Sequence, residues 1–524
     1  MSKRPNFILF VTDQHRADYL GCYGHPVLQT PNIDDIAARG VAFDSFYVAS
    51  PVCMPNRASL MTCRMPSSHG VTMNGVPLDR KNVTFVELLK EAGYNTALIG
   101  KSHLQTFTGA PATLQIPPTR DGYVRAGGAL AEAVRHDLDD PAYKVEEPKF
   151  WSGPHPKVPT PFYGYDHVEL VTGHGDHIGG DYAAWLSERE PEAASLIGPE
   201  NQLPHDYTCP QAVRTAVPAE LYSTSYIAER AAAYIEAHKD DEAPFFLMIS
   251  WPDPHHPFNP PGKYWGMYDP DDFPVPEAFR RDDWTPPPHV AGVQKARRDG
   301  RADLNGMNAV GCSAREAQEA QALTCGMITM IDDAVGQVQA ALQASGRADR
   351  TVEIFTSDHG DHLGDHGLLF KGAEQYEQIT RVPFLWADPD GEAGVRTGRI
   401  GQTHDIGTTI LERARIEPAF GMQGLDLFGA KTRQAAFVQY AHQKAMDEIG
   451  VPPNIHTIRD ARYRLSVLQD LDWGELYDLD TDPGEFRNLW DAPEVQSDKL
   501  RLMEELIRAE LAHVNRSPMP TGRA

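Results

Sequence analysis

The sequence predicts an α/β protein in which helices flank a mostly parallel central sheet, followed by a small C-terminal α+β domain with an antiparallel sheet. Four short segments rich in β-branched and aromatic residues have the continuous apolar character of strands buried in a parallel sheet: residues 6–11, 96–100, 244–250 and 351–356. Helical patterns separate them, at residues 84–94 and 314–345. Near the C-terminus, three segments are typical of antiparallel strands, and a helix closes the chain: residues 435–442, 455–470, 474–490 and 497–514.

The chain is long enough for about two or three domains. We place the α/β domain at residues 1–425 and the C-terminal domain at residues 426–524. Residues 105–225 interrupt the alternation of strands and helices with many Pro, Gly and His residues. A loop of that length is uncommon inside a compact domain unless it covers a site, so we interpret this segment as an insertion on the substrate side.

Composition excludes several classes of partner. The formal net charge of -25 repels polyanions, so we expect neither nucleic acid nor an anionic membrane as a partner. No apolar stretch approaches the roughly twenty residues that cross a bilayer, and the apolar run near the N-terminus lacks the cleavage site of a secretory signal. The six cysteines have no paired zinc-type spacing, which fits a reducing compartment. We therefore expect a cytoplasmic protein.

Polar side chains follow each of the four predicted strands. They are Asp13 and Gln14, then Lys101 and His103, then His255 in "WPDPHHP", then Asp358 and His359. Ligands of open parallel sheets bind beyond the carboxyl ends of the strands, so we expect these side chains to meet in one crevice. One such cluster alone would be explained by a polar loop cap, whereas four at equivalent positions favour a site.

Asp13, Gln14, Asp358 and His359 offer two carboxylates, an amide oxygen and an imidazole. Hard divalent cations prefer oxygen donors, and an imidazole shifts the preference towards a transition metal such as manganese, so we predict one divalent metal, with manganese favoured and calcium possible. Basic side chains from several segments surround these ligands: Arg57, Lys101, His103, His255 and Lys371. Guanidinium and ammonium groups around a metal form a clamp for a tetrahedral oxyanion.

The stretch "SPVCMPNRASLMTCR" places Cys53 at the start of a predicted helix, because Pro55 suits a first helical turn. A thiolate at a helix N-terminus is a nucleophile or a metal ligand. The alternative is a small buried residue, which is the usual role of a single cysteine.

The same stretch resembles the sulfatase family of the alkaline phosphatase superfamily, since "CMPNR" matches its C-x-P-x-R core. The resemblance extends to segments in the family's order along the chain: "FVTDQHRADYLGCYGHP", "GKSHL", "DPHHPF", "TSDHGDHLGDHGLLFK" and "LYDLDTDPGEFRNL". It implies an alkaline-phosphatase-like fold. It also implies that Cys53 is oxidised after translation to formylglycine, whose aldehyde hydrates to a geminal diol.

The resemblance implies a role for each matching residue. Asp13, Gln14, Asp358 and His359 would bind the metal together with an oxygen of modified Cys53, and that oxygen would attack sulfur. Arg57 would stabilise the diol, Lys101 and Lys371 would hold sulfate oxygens, and His255 or Lys371 would assist the leaving alcohol. His103 would deprotonate the second hydroxyl, so that sulfate leaves by C–O cleavage; a serine ester would instead need water to attack sulfur again.

At two positions the sequence departs from the common sulfatase pattern and resembles a neighbouring branch of the superfamily. Gln14 and His359 stand where many sulfatases have Asp and Asn, which resembles the phosphonate monoester hydrolases and their link to manganese. Asn74 resembles a substrate contact of that branch. Lys101 and His103, however, keep the sulfatase pattern, where those hydrolases generally have neutral hydroxyl residues.

The leading hypothesis is a sulfatase for small, aryl sulfate monoesters with some phosphonate or phosphodiester hydrolysis. The alternative reverses these preferences. Two other classes stay open, namely a metal- or oxyanion-binding protein without turnover and a two-metal phosphatase, although position 53 carries no Ser or Thr. The expected partners are a small anionic ester and, during maturation, a formylglycine-generating enzyme; a homo-oligomer that packs through the C-terminal segment stays open.

Overall fold

The computed structural model describes residues 4–112, 118–134, 140–153, 156–442, 446 and 449–523. Its strands are β1 (Asn6–Thr12), β2 (Val41–Tyr47), β3 (Asn95–Gly100), β4 (His167–Thr172), β5 (Gly179–Gly180), β6 (Phe245–Ser250), β7 (Val310–Gly311), β8 (Thr351–Ser357), β9 (Leu368–Leu369), β10 (Phe384–Ala387), β11 (Val395–Gln402), β12 (Ala436–Ala441), β13 (Asn454–Arg459), β14 (Tyr463–Leu468) and β15 (Gly474–Asp478). Its helices are α1 (Pro31–Ala38), α2 (Cys53–Thr62), α3 (Pro66–His69), α4 (Phe85–Glu91), α5 (Asp181–Arg189), α6 (Ser223–Ala237), α7 (Pro288–Arg298), α8 (Ala314–Ala344), α9 (Glu377–Thr380), α10 (Asp405–Ala414) and α11 (Gln496–Ala512).

The central sheet has nine strands in the order β11-β2-β10-β8-β1-β6-β3-β4-β5. The four strands predicted from the sequence are neighbours in its middle, and they pair in parallel. β10 runs antiparallel to both of its neighbours, and β5 runs antiparallel to β4. The predicted fold class is therefore confirmed.

Both faces of the central sheet are covered, which explains why β1 is apolar at almost every position. Ile8 and Phe10 of β1 point into one core with residues of α6 and α8, whereas Phe7, Leu9 and Val11 point into a second core with residues of α2, α4 and α10. A strand buried on both faces has no polar side to alternate with its apolar side. The carboxyl edge of the sheet is thus held by two packed layers.

Part of the predicted insertion at residues 105–225 belongs to the central sheet. β4 extends the sheet beyond β3, with β5 and α5 following, and none of these elements was predicted. The many Pro, Gly and His residues around "HVELVT" concealed the strand. Residues 113–117, 135–139 and 154–155 of the insertion lie outside the described residues. Its substrate-side role stays a prediction.

The C-terminal segment forms the expected antiparallel sheet, in the order β12-β13-β14-β15. Leu502 and Leu506 of α11 pack against its apolar face, which includes Leu465 and Leu476. The boundary that we placed at residue 425 stays a prediction.

Within the described part of the chain, no helix combines the length and the apolar character that crossing a membrane requires.

Candidate active site

Four polar segments meet where adjacent parallel strands end. Asp13 directly follows β1, Lys101 follows β3, and Asp358 follows β8, while His255 lies in the loop after β6. All four side chains are buried. Lys101 Nζ donates a hydrogen bond to the Asp13 carboxylate, which joins β3 to β1 across the crevice. The convergence expected from the strand ends is present in the structure.

The first helical turn of α2 brings Cys53 into this crevice. α2 begins at Cys53, after Val52 in an extended conformation. Asn56 fixes the turn, since its Oδ1 accepts from the backbone N–H of Ala49 (2.9 Å) and its Nδ2 donates to the carbonyl of Asp358 (2.6 Å). Cys53 Sγ consequently lies 3.1 Å from Nε2 of His359. The structure carries the unmodified cysteine, so Sγ stands in for the oxygen that a formylglycine diol would carry.

The donor set around Cys53 fits a divalent metal. Ligand atoms of Asp13, Cys53, Asp358 and His359 all lie within 4.8 Å of one another, and all four residues are buried. His359 Nδ1 lies 2.9 Å from the carbonyl oxygen of Gly360, so Nδ1 carries the proton and the lone pair of Nε2 faces the other ligands. Two carboxylates held this close also require positive charge between them. The structure therefore contains a candidate metal site.

Three cationic side chains surround the candidate metal site. Arg57 Nε donates to Asp358 (2.7 Å), and its Nη2 lies 3.7 Å from Asp13. Lys371 Nζ donates to Gln14 Oε1 (2.6 Å) and lies 2.6 Å from His255 Nε2. Together with Lys101, these groups form a buried positive rim around position 53.

The electrostatics of the rim keep Asp13 ionised. Burial alone would raise the pKa of the Asp13 carboxyl, but the positive charges of Lys101 and Arg57 hold its pKa well below the usual range. The pKa of the Cys53 thiol is instead raised to about 11, mainly by burial and secondly by the negative charge of Asp13. An unmodified Cys53 would thus be a thiol, which is a weak nucleophile, at neutral pH.

Burial keeps the imidazoles of the site neutral, so each ring has one nitrogen with a lone pair. Burial is the largest cause in each case: it lowers the pKa of His359 to about 4, that of His174 to about 3, and those of His103 and His255 well below the usual value. His255 Nδ1 lies 2.5 Å from the carbonyl oxygen of His256, so Nδ1 carries the proton and Nε2 accepts from Lys371. Lys371 and His255 therefore form a hydrogen-bonded pair in which Lys371 donates and His255 accepts.

The structure brings the sequence-predicted residues together, although their chemical roles stay predictions. Gln14 reaches the crevice with a backbone φ of 64°, and its amide oxygen faces Lys371. His103 also has positive φ, 55°, and its buried Nδ1 has no hydrogen-bond partner among the described residues. Asn74 is exposed, and its Oδ1 accepts a hydrogen bond from the backbone N–H of Met54 (3.0 Å). It therefore caps the helix of the predicted nucleophile.

Three further residues of the crevice were missed. His174 Nε2 lies 2.7 Å from Lys101 Nζ, and its ring stacks on His255 at 3.7 Å. His256 Nδ1 lies 2.9 Å from Gln14 Nε2, and Asp361 accepts from the same amide nitrogen. His174 follows β4, so the rule that found the other strand ends would have found it had β4 been predicted. His256 and Asp361 lie beside predicted residues, and no spacing signal distinguishes them.

The family comparison covers most of the chain. The sequence model of the family described as "Sulfatase" matches residues 5–416, which include every residue of the crevice described above. The chain belongs to the sulfatase family. A second model, described as "N-sulphoglucosamine sulphohydrolase, C-terminal", matches residues 364–512 of this sulfatase. The predictions of the family and of a sulfuric ester hydrolase are confirmed.

Individual relatives span almost the whole sulfatase. An arylsulfatase of Clostridium perfringens is 28% identical over 518 residues, covering 97% of this chain and 94% of the relative. A multifunctional alkaline phosphatase superfamily protein of Trinickia caryophylli is 27% identical, covering 98% and 96%. The crystal structure of a phosphonate monoester hydrolase of Agrobacterium radiobacter superposes with a TM-score of 0.77 at 25% identity, covering 98% of this chain and 97% of that one.

A carboxylate from the predicted insertion holds the loop that carries His103 in this sulfatase. Glu146 is buried, and its carboxylate accepts hydrogen bonds from the backbone N–H groups of His103 (2.8 Å), Leu104 (3.1 Å) and Gln105 (3.0 Å). No spacing in the sequence indicated this contact.

We expect Glu146→Gln to lower kcat by about tenfold and the free energy of unfolding by about 1–3 kcal/mol, because an amide has one acceptor oxygen and leaves a buried N–H unpaired. Steady-state kinetics and denaturant unfolding measure both. Glu147→Gln, a change at the neighbouring residue, is the control and should leave both unchanged. Wild-type kcat in Glu146→Gln would show that the contact does not fix the loop.

Proposed function

We propose that this sulfatase hydrolyses aryl sulfate monoesters with formylglycine derived from Cys53 as its nucleophile and one divalent metal, manganese rather than calcium, as its cofactor. The observation that carries the proposal is the position of Cys53 Sγ, 3.1 Å from His359 and 3.8 Å from Asp13, inside the cationic rim of Arg57, Lys101 and Lys371. A negatively charged ester needs such a rim, because the protein as a whole is strongly acidic.

The chain's own residues would divide the work as follows. A bound divalent cation would act as a Lewis acid towards the hydroxyl at position 53 and the sulfate oxygens. Lys101 and Lys371 would bind sulfate oxygens, and Arg57 would hold the side chain at position 53 while neutralising Asp358. The leaving group needs a proton. Because Lys371 donates to His255 Nε2, that proton would come from Lys371, directly or through His255 Nε2.

His103 is suited to the second half of the reaction. Its ring is neutral and Nδ1 is unpartnered among the described residues, so a base is available for the second hydroxyl at position 53. Removal of that proton would expel sulfate by C–O cleavage and regenerate the aldehyde.

A specific observation supports the alternative in which phosphonate monoesters or phosphodiesters are preferred. The TM-score of 0.77 is to a phosphonate monoester hydrolase, and the Trinickia relative is called multifunctional. Against it, Lys101 keeps the sulfatase pattern and donates to Asp13 in the crevice, where the phosphonate monoester hydrolases generally have a neutral hydroxyl residue.

Two measurements test the proposal. Mass spectrometry of the tryptic peptide 40–57 should show the thiol of Cys53 replaced by an aldehyde; an alkylatable thiol in active protein would overturn the nucleophile. On the same preparation, kcat/KM for an aryl sulfate should exceed that for the matching aryl phosphonate monoester, since this ratio measures differential stabilisation of the transition states. The reverse ratio would make the alternative the main activity.

A further inference from the structure

The burial of the crevice indicates where a substrate projects from it. The side chains of Asp13, Cys53, Arg57, Lys101, His255, His359 and Lys371 are at most 3% exposed. Exposure rises to 6% at His103 and 9% at His174, while Phe107 is half-buried and Asn74 is exposed. The rise in exposure indicates that a group attached to an anion at position 53 would extend past His103, His174 and Phe107 to reach solvent.

Phe107 lies directly at this opening. Its ring centroid is 4.0 Å from that of His103 and 5.2 Å from that of His174, in an edge-on arrangement with His174. Lys101 Nζ, which donates to Asp13 in the crevice, is 5.4 Å from the centre of the Phe107 ring. The opening is thus bordered by an aromatic ring and two neutral imidazoles.

The rings continue into the crevice behind Phe107. His174 stacks on His255 at 3.7 Å, His255 on His256 at 4.1 Å, and His256 on Phe370 at 3.8 Å. These stacked rings hold His174 in place, so the edge of the opening is rigid on that side. Phe107, by contrast, belongs to the loop that follows His103 and retains a solvent-facing part.

We propose that Phe107 determines specificity by contacting the leaving group and favouring aryl over alkyl esters, an inference that rests on the proposed ester hydrolysis at this site. An aryl leaving group in the opening packs against the Phe107 ring in an offset or edge-on geometry, with ring centroids about 4.5–7 Å apart. An alkyl group in the same place keeps the apolar contact but loses the preference between aromatic rings. Because the contact forms with the bound substrate as well as in the transition state, it acts mainly on KM.

The experiment compares Phe107→Leu and Phe107→Trp with the wild type on two substrates, 4-nitrophenyl sulfate and n-butyl sulfate. Each substrate is compared with itself across variants, so the different reactivities of the two leaving groups cancel. We expect Phe107→Leu to lower kcat/KM for the aryl ester about 3- to 10-fold, chiefly through KM, and to change that for the alkyl ester less than about twofold. Phe107→Trp should retain the wild-type preference.

Phe150→Leu is the matched control, because Phe150 is a half-buried aromatic residue of the same predicted insertion whose ring lies edge-on to Trp151 and packs against the second core of the central sheet. It should leave both substrates at wild-type values. An equal loss on both substrates in Phe107→Leu, or no loss on either, would overturn the inference. Failure of the proposed function would be seen separately, as a preference of the wild type for phosphonates over sulfates. In that case the same variants are compared on phenyl and butyl methylphosphonate.

Discussion

Replacing Cys53 by alanine is expected to lower kcat/KM for an aryl sulfate by about 10⁴-fold or more, the scale of loss found when a nucleophile is removed. Alanine is smaller than cysteine, and α2 begins at this position with its N-cap already extended, so the helix should persist. The cationic rim and the other three candidate metal ligands, Asp13, Asp358 and His359, also remain. The loss would therefore report the chemistry of position 53 and not the fold.

Cys53→Ser sharpens the same experiment. A serine hydroxyl can attack sulfur but has no second hydroxyl through which His103 could release sulfate, so the sulfate ester should accumulate. We expect a burst of about one equivalent of product followed by very slow turnover, with a mass increase on the peptide 40–57. Cys312→Ala removes a half-buried cysteine outside the crevice and is the control. Full turnover by Cys53→Ala would exclude position 53 as the nucleophile.

The centre of the fold follows from sequence because it obeys a local rule. β1, β3, β6 and β8 are buried on both faces, so each is a continuous apolar run that stands out without tertiary information. The polar residues after these runs then mark the crevice, since parallel strands end at the same edge. Asp13, Lys101 and Asp358 were found in this way.

Features that depend on distant contacts were not accessible. β4 lies at the far side of β3 in a segment whose composition is typical of loops, so His174 was missed with it. Glu146 is recognisable only because three backbone N–H groups of a remote loop point at it. Cys63 directly follows α2 with φ of 54°, a left-handed backbone conformation that favours glycine and that the sequence did not indicate.

The charge of the crevice also depends on contacts between distant segments and does not follow from the composition of the chain. The sequence shows a protein with an excess of acidic residues, yet the crevice concentrates Arg57, Lys101 and Lys371 around two carboxylates. Both carboxylates contact His359 and Arg57, but Asp13 also contacts Lys101. Its Oδ1 lies 3.5 Å from His359 Nε2, while its Oδ2 faces Lys101 and Arg57. Asp13 thus links the candidate metal site to two members of the cationic rim, Lys101 and Arg57.

Asp13→Asn should consequently have an effect second only to loss of the nucleophile. The amide is nearly isosteric but removes one ligand charge, so we expect metal affinity to fall by about 100-fold or more and kcat/KM by about 10³-fold. Lys101 and Arg57 would also lose a buried counter-charge, which lowers the free energy of unfolding by about 3–5 kcal/mol. Elemental analysis after dialysis, manganese titration of activity and denaturant unfolding measure the three effects.

Asp18→Asn provides a matched control, because Asp18 pairs with Arg16 outside the ligand group and undergoes the same chemical change. It should keep wild-type metal content and activity. If Asp13→Asn binds one equivalent of metal as tightly as the wild type, Asp13 is not a ligand. If the metal is lost but saturating manganese restores full activity, Asp13 serves only to retain the cation. A loss of kcat that persists at saturating manganese is the result we expect, since Oδ2 also orients Lys101 and Arg57 towards the anion.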